Sequence, residues 1–287
     1  MVNEYSDYLK FIDDALELAK KIPKYFSKFS NKIYCNHQKL AIYVLMQKFR
    51  TTTRGIVSIL KASSDIRLHL GLHRVPVHTT IVRFVNKIRK QINKLLGINQ
   101  AVTVAVDATG FELESKSYYY RTIWNSDRPQ KTKRFMKLSI TVDTDKQLIL
   151  NFKIRRDYKK CNLEFRSMLK DLNFKCVIAD KGYDSRENRS FVLRKLKALP
   201  IIPIRSHTNY YGTYWNGQKI DGKNYHQRSK VETVFSVIKR KYGSVLRNRS
   251  YATQKTELIS KIITYNLDRK LNYLLLIAGL HQSLFYI

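Results

Sequence analysis

The spacing of apolar residues changes near Ala101, and this change restricts the chain to a mixed architecture in which helices come first. Before that point apolar residues recur every three or four positions, which predicts amphipathic helices. The helical segments are Tyr5 to Ile22, Lys39 to Arg50, Thr53 to Ala62 and Thr79 to Leu96. The last of them carries basic residues, Arg83 and Lys87 included, beside its apolar stripe. Two interpretations stay open here: a DNA-binding helix-turn-helix, and a helical bundle with a solvated basic face.

After Ala101 strand-like and helix-like segments alternate. Val102 to Val106 is strand-like and is predicted to end at Asp107. The segments that follow are a hairpin of Lys137 to Val142 and Leu148 to Ile154, a helix near Asn162 to Leu172, a strand from Cys176 to Ala179, a helix from Ser185 to Leu196, an edge strand from Leu199 to Ile204, a helix from Tyr225 and a helix from Thr253 to Leu280. This order predicts an α/β fold with one mixed sheet flanked by helices, preceded by an all-helical region.

The charge balance predicts a polyanionic partner. Lys and Arg number 54 and Asp and Glu number 22, which gives a net charge of +32, while 44% of the residues are hydrophobic. A hydrophobic content of this size predicts a folded body, and a folded body with this charge is typical of nucleic-acid-binding proteins. A basic membrane-surface protein and a ribosomal-type RNA-binding protein are the alternatives.

Cysteine spacing and apolar run lengths argue against disulfides, zinc and membrane insertion. Cys35, Cys161 and Cys176 have no Cys-x-x-Cys spacing, so a zinc site or a disulfide scaffold is not expected. Acidic residues at positions 13, 14 and 17 interrupt the N-terminal apolar pattern, unlike a signal peptide. The run from Leu274 to Leu280 is too short to span a bilayer. We therefore expect a soluble, intracellular chain without a membrane partner.

Two aspartates stand at positions typical of catalytic groups. Asp107 and Asp180 each follow an apolar run and are soon followed by glycine. In open α/β sheets functional groups gather beyond the carboxyl ends of strands, and two neighbouring carboxylates there can share hard cations such as Mg²⁺. For either residue alone, the alternative is an aspartate that only forms the turn after a strand.

Other acidic residues have structural explanations. Asp184 and Glu187 fit a capping box, with Asp184 as the N-cap and Glu187 reaching back. The aspartates of segment 143–146 belong to the hairpin turn. Glu112 and Glu114 follow the first strand closely enough to remain secondary candidates as ligands.

A third acidic residue lies in a helix that also carries basic residues. Steps of three, four and seven residues place Tyr225, Arg228, Glu232 and Lys239 in one narrow stripe. An adjacent apolar stripe would pack on the sheet and aim Glu232 at its margin. Glutamate beside arginine and lysine suits a site that holds a cation and a phosphate together. The alternative is a surface helix with an Arg228–Glu232 ion pair.

These three elements together resemble the DDE transposases of bacterial and archaeal insertion sequences. The resemblance rests on Asp107-Ala-Thr-Gly-Phe111, on Asp180-Lys-Gly-Tyr-Asp184 and on the predicted helix from Tyr225 to Lys239. This helix matches the Tyr-x2-Arg-x3-Glu-x6-Lys signature of that family at every position. The match runs from about Ala101 to Asn248. Segments 50–55 and 75–80 are also similar to the amino-terminal region of such enzymes, though they are less diagnostic.

The resemblance implies a ribonuclease H-like catalytic domain over residues 99–250. It implies a helical DNA-binding region at 1–98 and a C-terminal helix at 251–287 that packs on the core or mediates dimerisation. It assigns Asp107, Asp180 and Glu232 as catalytic residues and as ligands of two Mg²⁺ ions, for which Mn²⁺ can substitute. It further implies that Tyr225, Arg228 and Lys239 contact the DNA at the transposon end.

Two further sets of DNA contacts are expected from the residues themselves. Some relatives carry a long insertion before the last catalytic helix, but segment 205–224 leaves room only for a loop. Trp215 and the tyrosines of this loop either stack on unpaired bases or cover the sheet edge. Basic side chains are expected to bind phosphates without reading sequence, namely Lys131, Lys133, Arg134, Arg155, Arg156, Lys159 and Lys160.

The function expected from the resemblance is metal-dependent cleavage at transposon ends followed by strand transfer into target DNA. The expected partners are double-stranded DNA and a second copy of the chain, in a cytoplasmic, nucleoid-associated setting. Three alternatives remain: a metal-dependent endonuclease without strand transfer, a non-catalytic DNA-binding descendant of a transposase, and a basic RNA-binding protein.

Overall fold

A computed structural model of the chain describes residues 2–88, 92–95, 100–114, 135–156, 162–204 and 225–283. The chain divides into two compact units. The helical unit consists of residues 1–96 and 238–287, and the sheet unit consists of residues 97–237. None of the described helices is long and apolar enough to cross a membrane.

The elements follow one another in an order close to the predicted one. The first region contains α1 (Val2–Ala19), α2 (Asn36–Lys48), α3 (Thr53–Ala62), α4 (Ser64–His69), α5 (His78–Ile88) and a 3-10 turn (Ile92–Leu95). The middle region contains β1 (Thr103–Leu113), β2 (Phe135–Asp143), β3 (Ile149–Arg155), α6 (Asn162–Leu169), β4 (Cys176–Ala179), a 3-10 turn (Lys181–Tyr183), α7 (Arg186–Ser190) with a π-helical turn after it (Phe191–Lys195), and β5 (Leu199–Ile201). The last region contains α8 (Ser229–Tyr242), β6 (Val245–Leu246) and α9 (Tyr251–Ser283).

Helix α2 forms the centre of the helical unit. Every residue from Leu40 to Leu45 is at most 1% exposed, because α1, α3, α5 and α9 all pack against this helix. A helix buried on all sides needs no polar face, so the weak amphipathic pattern of α2 follows from its position. The long C-terminal helix α9 also contacts α1 and α5, and it thereby completes the core of the N-terminal helices.

Buried charges in the helical unit are paired. Asp268 of α9 accepts hydrogen bonds from the Lys48 ammonium and from the Tyr242 hydroxyl, the latter at 2.5 Å. Lys261 donates to the carbonyl oxygens of Gly243 and Val245 at 2.9 Å each. Burial lowers the pKa of Lys261 to about 8, against the opposing effect of the nearby Glu257 carboxylate. These contacts tie the end of α8 and the segment after it to α9.

The sheet unit is a mixed sheet in which strands follow the order β3-β2-β1-β4-β5. Strand β1 pairs antiparallel with β2, and β2 pairs antiparallel with β3. On its other side β1 pairs parallel with β4, which pairs parallel with β5. One face is covered by α6, whose Phe165, Met168 and Leu169 are fully buried in a cluster with Val106 and Ala179. The edge position predicted for the proline-containing strand is confirmed.

Strand β1 is longer than predicted, and the prediction that Asp107 ends it was wrong. Parallel pairing with β4 stops at Val106↔Ala179. Antiparallel pairing with β2 continues from Val104 to Glu112 and includes Asp107↔Ile140. The longer partner strand therefore extends β1 through Asp107.

Three other boundaries differ from the predicted ones. Helix α4 was not predicted, and the helix predicted over Thr79 to Leu96 comprises α5 and a separate 3-10 turn, with residues 89–91 outside the described residues. Helix α8 begins at Ser229 rather than near Tyr225. Helix α9 belongs to the same compact unit as the N-terminal helices, while the functional division into segments 1–98, 99–250 and 251–287 stays a prediction.

Candidate functional site

Asp107 and Asp180 lie on adjacent strands. Val106 and Ala179 are the last paired residues of the parallel ladder between β1 and β4, and each aspartate follows directly. The two carboxylates therefore start from neighbouring backbone positions, at the point where the parallel ladder between β1 and β4 ends. Each aspartate accepts a hydrogen bond from the next backbone amide, Asp107 from Ala108 and Asp180 from Lys181, both at 2.7 Å.

Arg228 joins Glu232 to this pair. Its guanidinium lies 3.6 Å from the Asp107 carboxylate and 2.7 Å from the Glu232 carboxylate. Glu232 stands in the first turn of α8, and its side chain is 52% exposed, against 24% for Asp107. The structure thus brings the residues predicted as a catalytic triad to one region, with a shared arginine among them.

The charges of this cluster act on one another. Burial raises the pKa of Asp107, and the neighbouring carboxylates of Asp180 and Glu232 raise it further. The hydrogen bond from Ala108 and the charge of Arg228 act in the opposite direction. For Arg228 burial lowers the pKa, but the surrounding acidic groups, with Glu232 the strongest, reverse the effect and leave it raised. The cluster is therefore an acidic site in which one guanidinium compensates several carboxylates.

The cluster suits a hard divalent cation by the chemistry of its donors, though not by their spacing in this structure. Carboxylate oxygens are the ligands that Mg²⁺ takes from proteins, and repulsion among the three acidic groups favours binding of a cation beside them. Within the described part of the chain, no three His, Cys, Asp or Glu side chains stand close enough together to hold a metal ion. The side-chain positions are those of carboxylates grouped around Arg228.

Asp184 does not cap the helix after Asp180, contrary to the capping-box prediction. Ser185 is the N-cap of α7, and its hydroxyl accepts from the amide of Asn188. Asp184 is 6% exposed and accepts from the Arg189 Nε at 2.7 Å. Arg189 also donates to the carbonyl of Ile202 at 2.5 Å. The buried guanidinium draws the Asp184 carboxylate inward, away from the position that a cap requires.

The same buried contacts support the turn that carries Asp180. The backbone amide of Tyr183 donates to the Asp180 carbonyl at 2.9 Å. The Tyr183 carbonyl accepts a hydrogen bond from the Asn188 side chain at 2.9 Å. The Tyr183 ring packs against the Phe165 ring, with 5.5 Å between their centroids. Arg189 and Asn188 were not identified from the sequence. Their partners lie five residues earlier or, for the second contact of Arg189, after β5, and these spacings do not match the three- or four-residue period of a helix.

The remaining acidic candidates lie apart from the cluster. Glu112 is five residues after Asp107 on the same strand, so alternation places it on the opposite face of the sheet. Glu114 follows the end of β1 and is exposed. Asp143 accepts from the amides of Asp145 and Lys146 at 2.8 and 3.2 Å, as expected of a hairpin turn.

The predicted DNA contacts are distributed over several elements. Tyr225 is helical, but a turn at residues 227–228 separates it from α8 and contains Arg228, whose amide donates to the Tyr225 carbonyl at 3.0 Å. The four residues therefore do not share one continuous helix, as the predicted stripe requires. Lys239 lies in the last turn of α8, while Arg83 and Lys87 are exposed on α5. Outside the described residues lie Trp215 with the tyrosines at 210, 211 and 214, and the basic residues Lys131, Lys133, Arg134, Lys159 and Lys160.

Arg155, predicted to bind phosphate, pairs with a buried glutamate. Its Nε lies 2.6 Å from Glu164, which is 1% exposed and also accepts from the Ser139 hydroxyl at 2.7 Å. The sequence shows the charge of Arg155 but not the acidic partner that α6 brings over the sheet.

Comparisons with known proteins agree with this architecture. A family model described as the transposase DDE domain matches residues 99–267. A protein of Aquifex aeolicus (strain VF5), described as uncharacterized, is 24% identical over 208 residues, which cover 68% of this chain and 64% of that protein. The fold is similar to that of the piggyBac transposase in a synaptic complex with hairpin DNA, with a TM-score of 0.50, 10% identity, and coverage of 92% of this chain and 73% of that one.

Proposed function

This chain belongs to the transposase DDE domain family, and on that premise we propose that it cuts DNA at the ends of a mobile element and joins those ends to target DNA. The observation that supports the proposal most directly is the pairing of β1 with β4. It sets Asp107 beside Asp180, while Arg228 links Asp107 to Glu232. The strand order, with three antiparallel strands and two parallel ones, supports a ribonuclease H-like catalytic domain.

In this proposal Asp107, Asp180 and Glu232 hold two Mg²⁺ or Mn²⁺ ions, which when bound supply Lewis-acid activation of the attacking and leaving oxygens. Asp107 is held within the sheet, because its backbone pairs with Ile140 of β2 and the preceding residue Val106 pairs with Ala179 of β4. Glu232 sits on a helix and is half-exposed, so its side chain has room to approach or leave the pair.

Arg228 has a role on the DNA side of the site. Its guanidinium is held by carboxylates in this structure, and cations beside those carboxylates would compete with it. A released guanidinium can donate two parallel hydrogen bonds to a phosphate. Tyr225, Lys239 and Trp215 are proposed as further contacts to the transposon end, and the helices before residue 98 as a DNA-binding region. Pairing of two ends by a homodimer completes the proposal.

The test uses purified protein with DNA that flanks its gene and a second plasmid as the target. We expect breaks at defined positions and joined products with Mg²⁺, and neither with a chelator. The variants Asp107→Asn, Asp180→Asn and Glu232→Gln should fall to the level of the chelator control while they retain DNA binding. Glu112→Gln, on the opposite face of the same strand, is the matched control and should keep full activity.

Each of the other possible outcomes of this test would favour a different function or remove the assignment of the site. Metal-dependent cutting without joining, on ends shown to be bound, would favour an endonuclease. Binding without cutting in Mg²⁺ or Mn²⁺ would favour a non-catalytic descendant. Cleavage retained by Asp107→Asn would remove the assignment of the site.

A further inference from the structure

Helix α5 is fixed in place by one apolar face. Its buried residues are Ile81, Phe84, Val85 and Ile88, and this face packs on α2 and α3. The ring of Phe84 stacks on that of Phe26 with 6.1 Å between centroids. Because these contacts set the rotation of the helix about its axis, they also determine which side chains face outward.

The outward side chains form a continuous exposed surface, which we call the outer face of α5. It consists of Thr79, Val82, Arg83, Asn86 and Lys87, all of them exposed. Their spacing of three and one residues places them on one side of a helix. Val82 is 44% exposed, so an apolar side chain stands in the middle of this polar surface.

The chemistry of the outer face differs from that of an ordinary solvated surface. Contacts to phosphate need only positive charge, and lysines alone would supply them. The outer face instead combines a guanidinium, a carboxamide, a hydroxyl and an exposed pair of methyl groups. Arginine pairs with guanine, asparagine pairs with adenine, and apolar side chains contact the thymine methyl group in the major groove. This mixture is suited to the edges of bases.

The surroundings of α5 favour a polyanion. Asp65 is the single carboxylate in the sequence between Glu17 and Asp107. Arg54 and Lys61 on α3 are exposed and available to phosphates beside a groove. Arg67 has a different role, since it donates to the carbonyls of Leu60 and Lys61 at 2.8 and 2.6 Å and thereby closes the end of α3.

We propose that the outer face of α5 reads base sequence in the major groove of duplex DNA. Arg83, Asn86 and Val82 contact base edges, and Lys87 with Arg54 contacts the backbone on either side. The identity of the bound sequence as an element end rests on the proposed function. The division between base-reading and backbone-binding side chains rests only on the composition and exposure of this face.

The experiment is selection of bound duplexes from a random-sequence DNA library by the full chain. Wild type should enrich a defined motif. Arg83→Ala and Asn86→Ala should each lose preference at one or two positions of that motif, with a fall in discrimination there of about 5- to 150-fold. Lys87→Ala should keep the motif, weaken binding to all sequences alike, and reduce the salt slope of binding by about one.

Lys10→Ala is the charge-matched control, because Lys10 is exposed on α1 and its substitution removes one positive charge, as the substitution of Lys87 does. It should leave the motif unchanged. Circular dichroism and the thermal midpoint check that each variant is folded, and Val82→Thr, which keeps a methyl group, provides a base-reading variant with minimal change.

Three results would overturn the inference. The first is the absence of a motif for wild type, and the second is an equal loss of affinity for all sequences in Arg83→Ala, Asn86→Ala and Lys87→Ala. Competition by duplex RNA as strong as that by duplex DNA would also contradict it, because the major groove of A-form RNA is too narrow for a helix. Cleavage at element ends is measured in a separate assay. Cleavage without a selected motif would contradict this inference alone, and a selected motif without cleavage would contradict the proposed function alone.

Discussion

Two groups of carboxylates, one in each unit of the molecule, have opposite surroundings. In the helical unit, Asp268 is buried and accepts from both Lys48 and Tyr242. Glu257, also buried, lies beside Lys261 and accepts from the backbone amides of Arg247 and Asn248. In the sheet unit, three acidic residues are partly exposed and have Arg228 among them. The carboxylates of the first group are buried with several donors each, whereas those of the second group are partly exposed around one guanidinium.

Under the proposed function, this difference separates structural carboxylates from those that bind a ligand. A buried charge that has enough donors holds elements together, and it has little capacity for an additional ligand. A group of acidic residues with too few donors repels itself, and a structure retains such a group where a ligand restores the balance. Substitutions in the two groups should therefore have opposite effects on activity and stability.

The largest effect on cleavage is expected for substitutions of Asp107, Asp180 and Glu232. Asp107→Asn, Asp180→Asn and Glu232→Gln should each reduce cleavage to the chelator background, and none should lower the thermal midpoint. Burial and neighbouring carboxylates raise the pKa of Asp107, so an amide at this position relieves an unfavourable charge. Differential scanning fluorimetry beside the cleavage assay provides the measurement. A marked loss of stability in all three variants would place these residues in the structural class.

A substitution of Asp268 should show the reverse pattern. Asp268→Asn leaves Lys48 buried without its carboxylate, and breaking a buried pair of this kind costs about 3–5 kcal/mol. Urea unfolding at pH 7 measures the loss, and Glu17→Gln, which removes an exposed partner of Lys20, is the control and should stay close to wild type. If Asp268→Asn unfolds at the same urea concentration as wild type, the proposed contrast between the units fails.

An intermediate effect is expected beneath Asp180. Arg189→Lys keeps the charge beside Asp184 but shortens the reach to the Ile202 carbonyl, and loss of a hydrogen bond to a charged group costs about 1.5–3 kcal/mol. Because the same contacts support the Asp180 turn, cleavage should require a higher Mg²⁺ concentration while DNA affinity stays unchanged. Arg186→Lys, exposed on the same helix, is the matched control. An unchanged Mg²⁺ requirement in a destabilised Arg189→Lys would limit the role of the pair to folding.

The smallest effect tests how well the helical unit excludes water. Burial raises the pKa of Tyr265 to about 12, above its value of about 10 in an unfolded chain. The folded state therefore holds the phenolic proton more tightly, and stability is lost as pH rises from 10 towards 12. Tyr265→Phe should lose less stability than wild type between pH 9 and pH 11, by about 1 kcal/mol. Parallel urea curves at both pH values check this, and equal losses would indicate that the tyrosine is hydrated.

Local patterns were sufficient for part of the fold and of the site. The bounds of β4 and the position of Asp180 follow from an apolar run that ends in a carboxylate. The place of Asp107 within β1 does not, because the length of that strand is set by its pairing with β2, which lies more than twenty residues further along the chain.

Contacts between distant segments account for most of the errors. Asp184 looks like a helix cap until Arg189 is known to be buried beside it. Helix α9 has no sequence feature that assigns it to the N-terminal helices, since the complementarity lies in the shape of the packed surfaces. The roles of the three acidic residues stay a prediction. Arg228 contacts Glu232, as the alternative of a surface ion pair anticipated, and it also contacts Asp107, which the sequence did not indicate.

The divided helical unit has a consequence for how the chain is made. Domains generally fold as units during synthesis, at about 5–20 residues per second. The sheet unit is a single stretch, residues 97–237, and can collapse on the ribosome as soon as it emerges. The N-terminal helices emerge earlier, yet α1, α2 and α5 lack the surface of α9 until the last residues of the unit have been translated. We therefore expect the N-terminal helices to reach their native packing last, only after α9 has emerged from the ribosome.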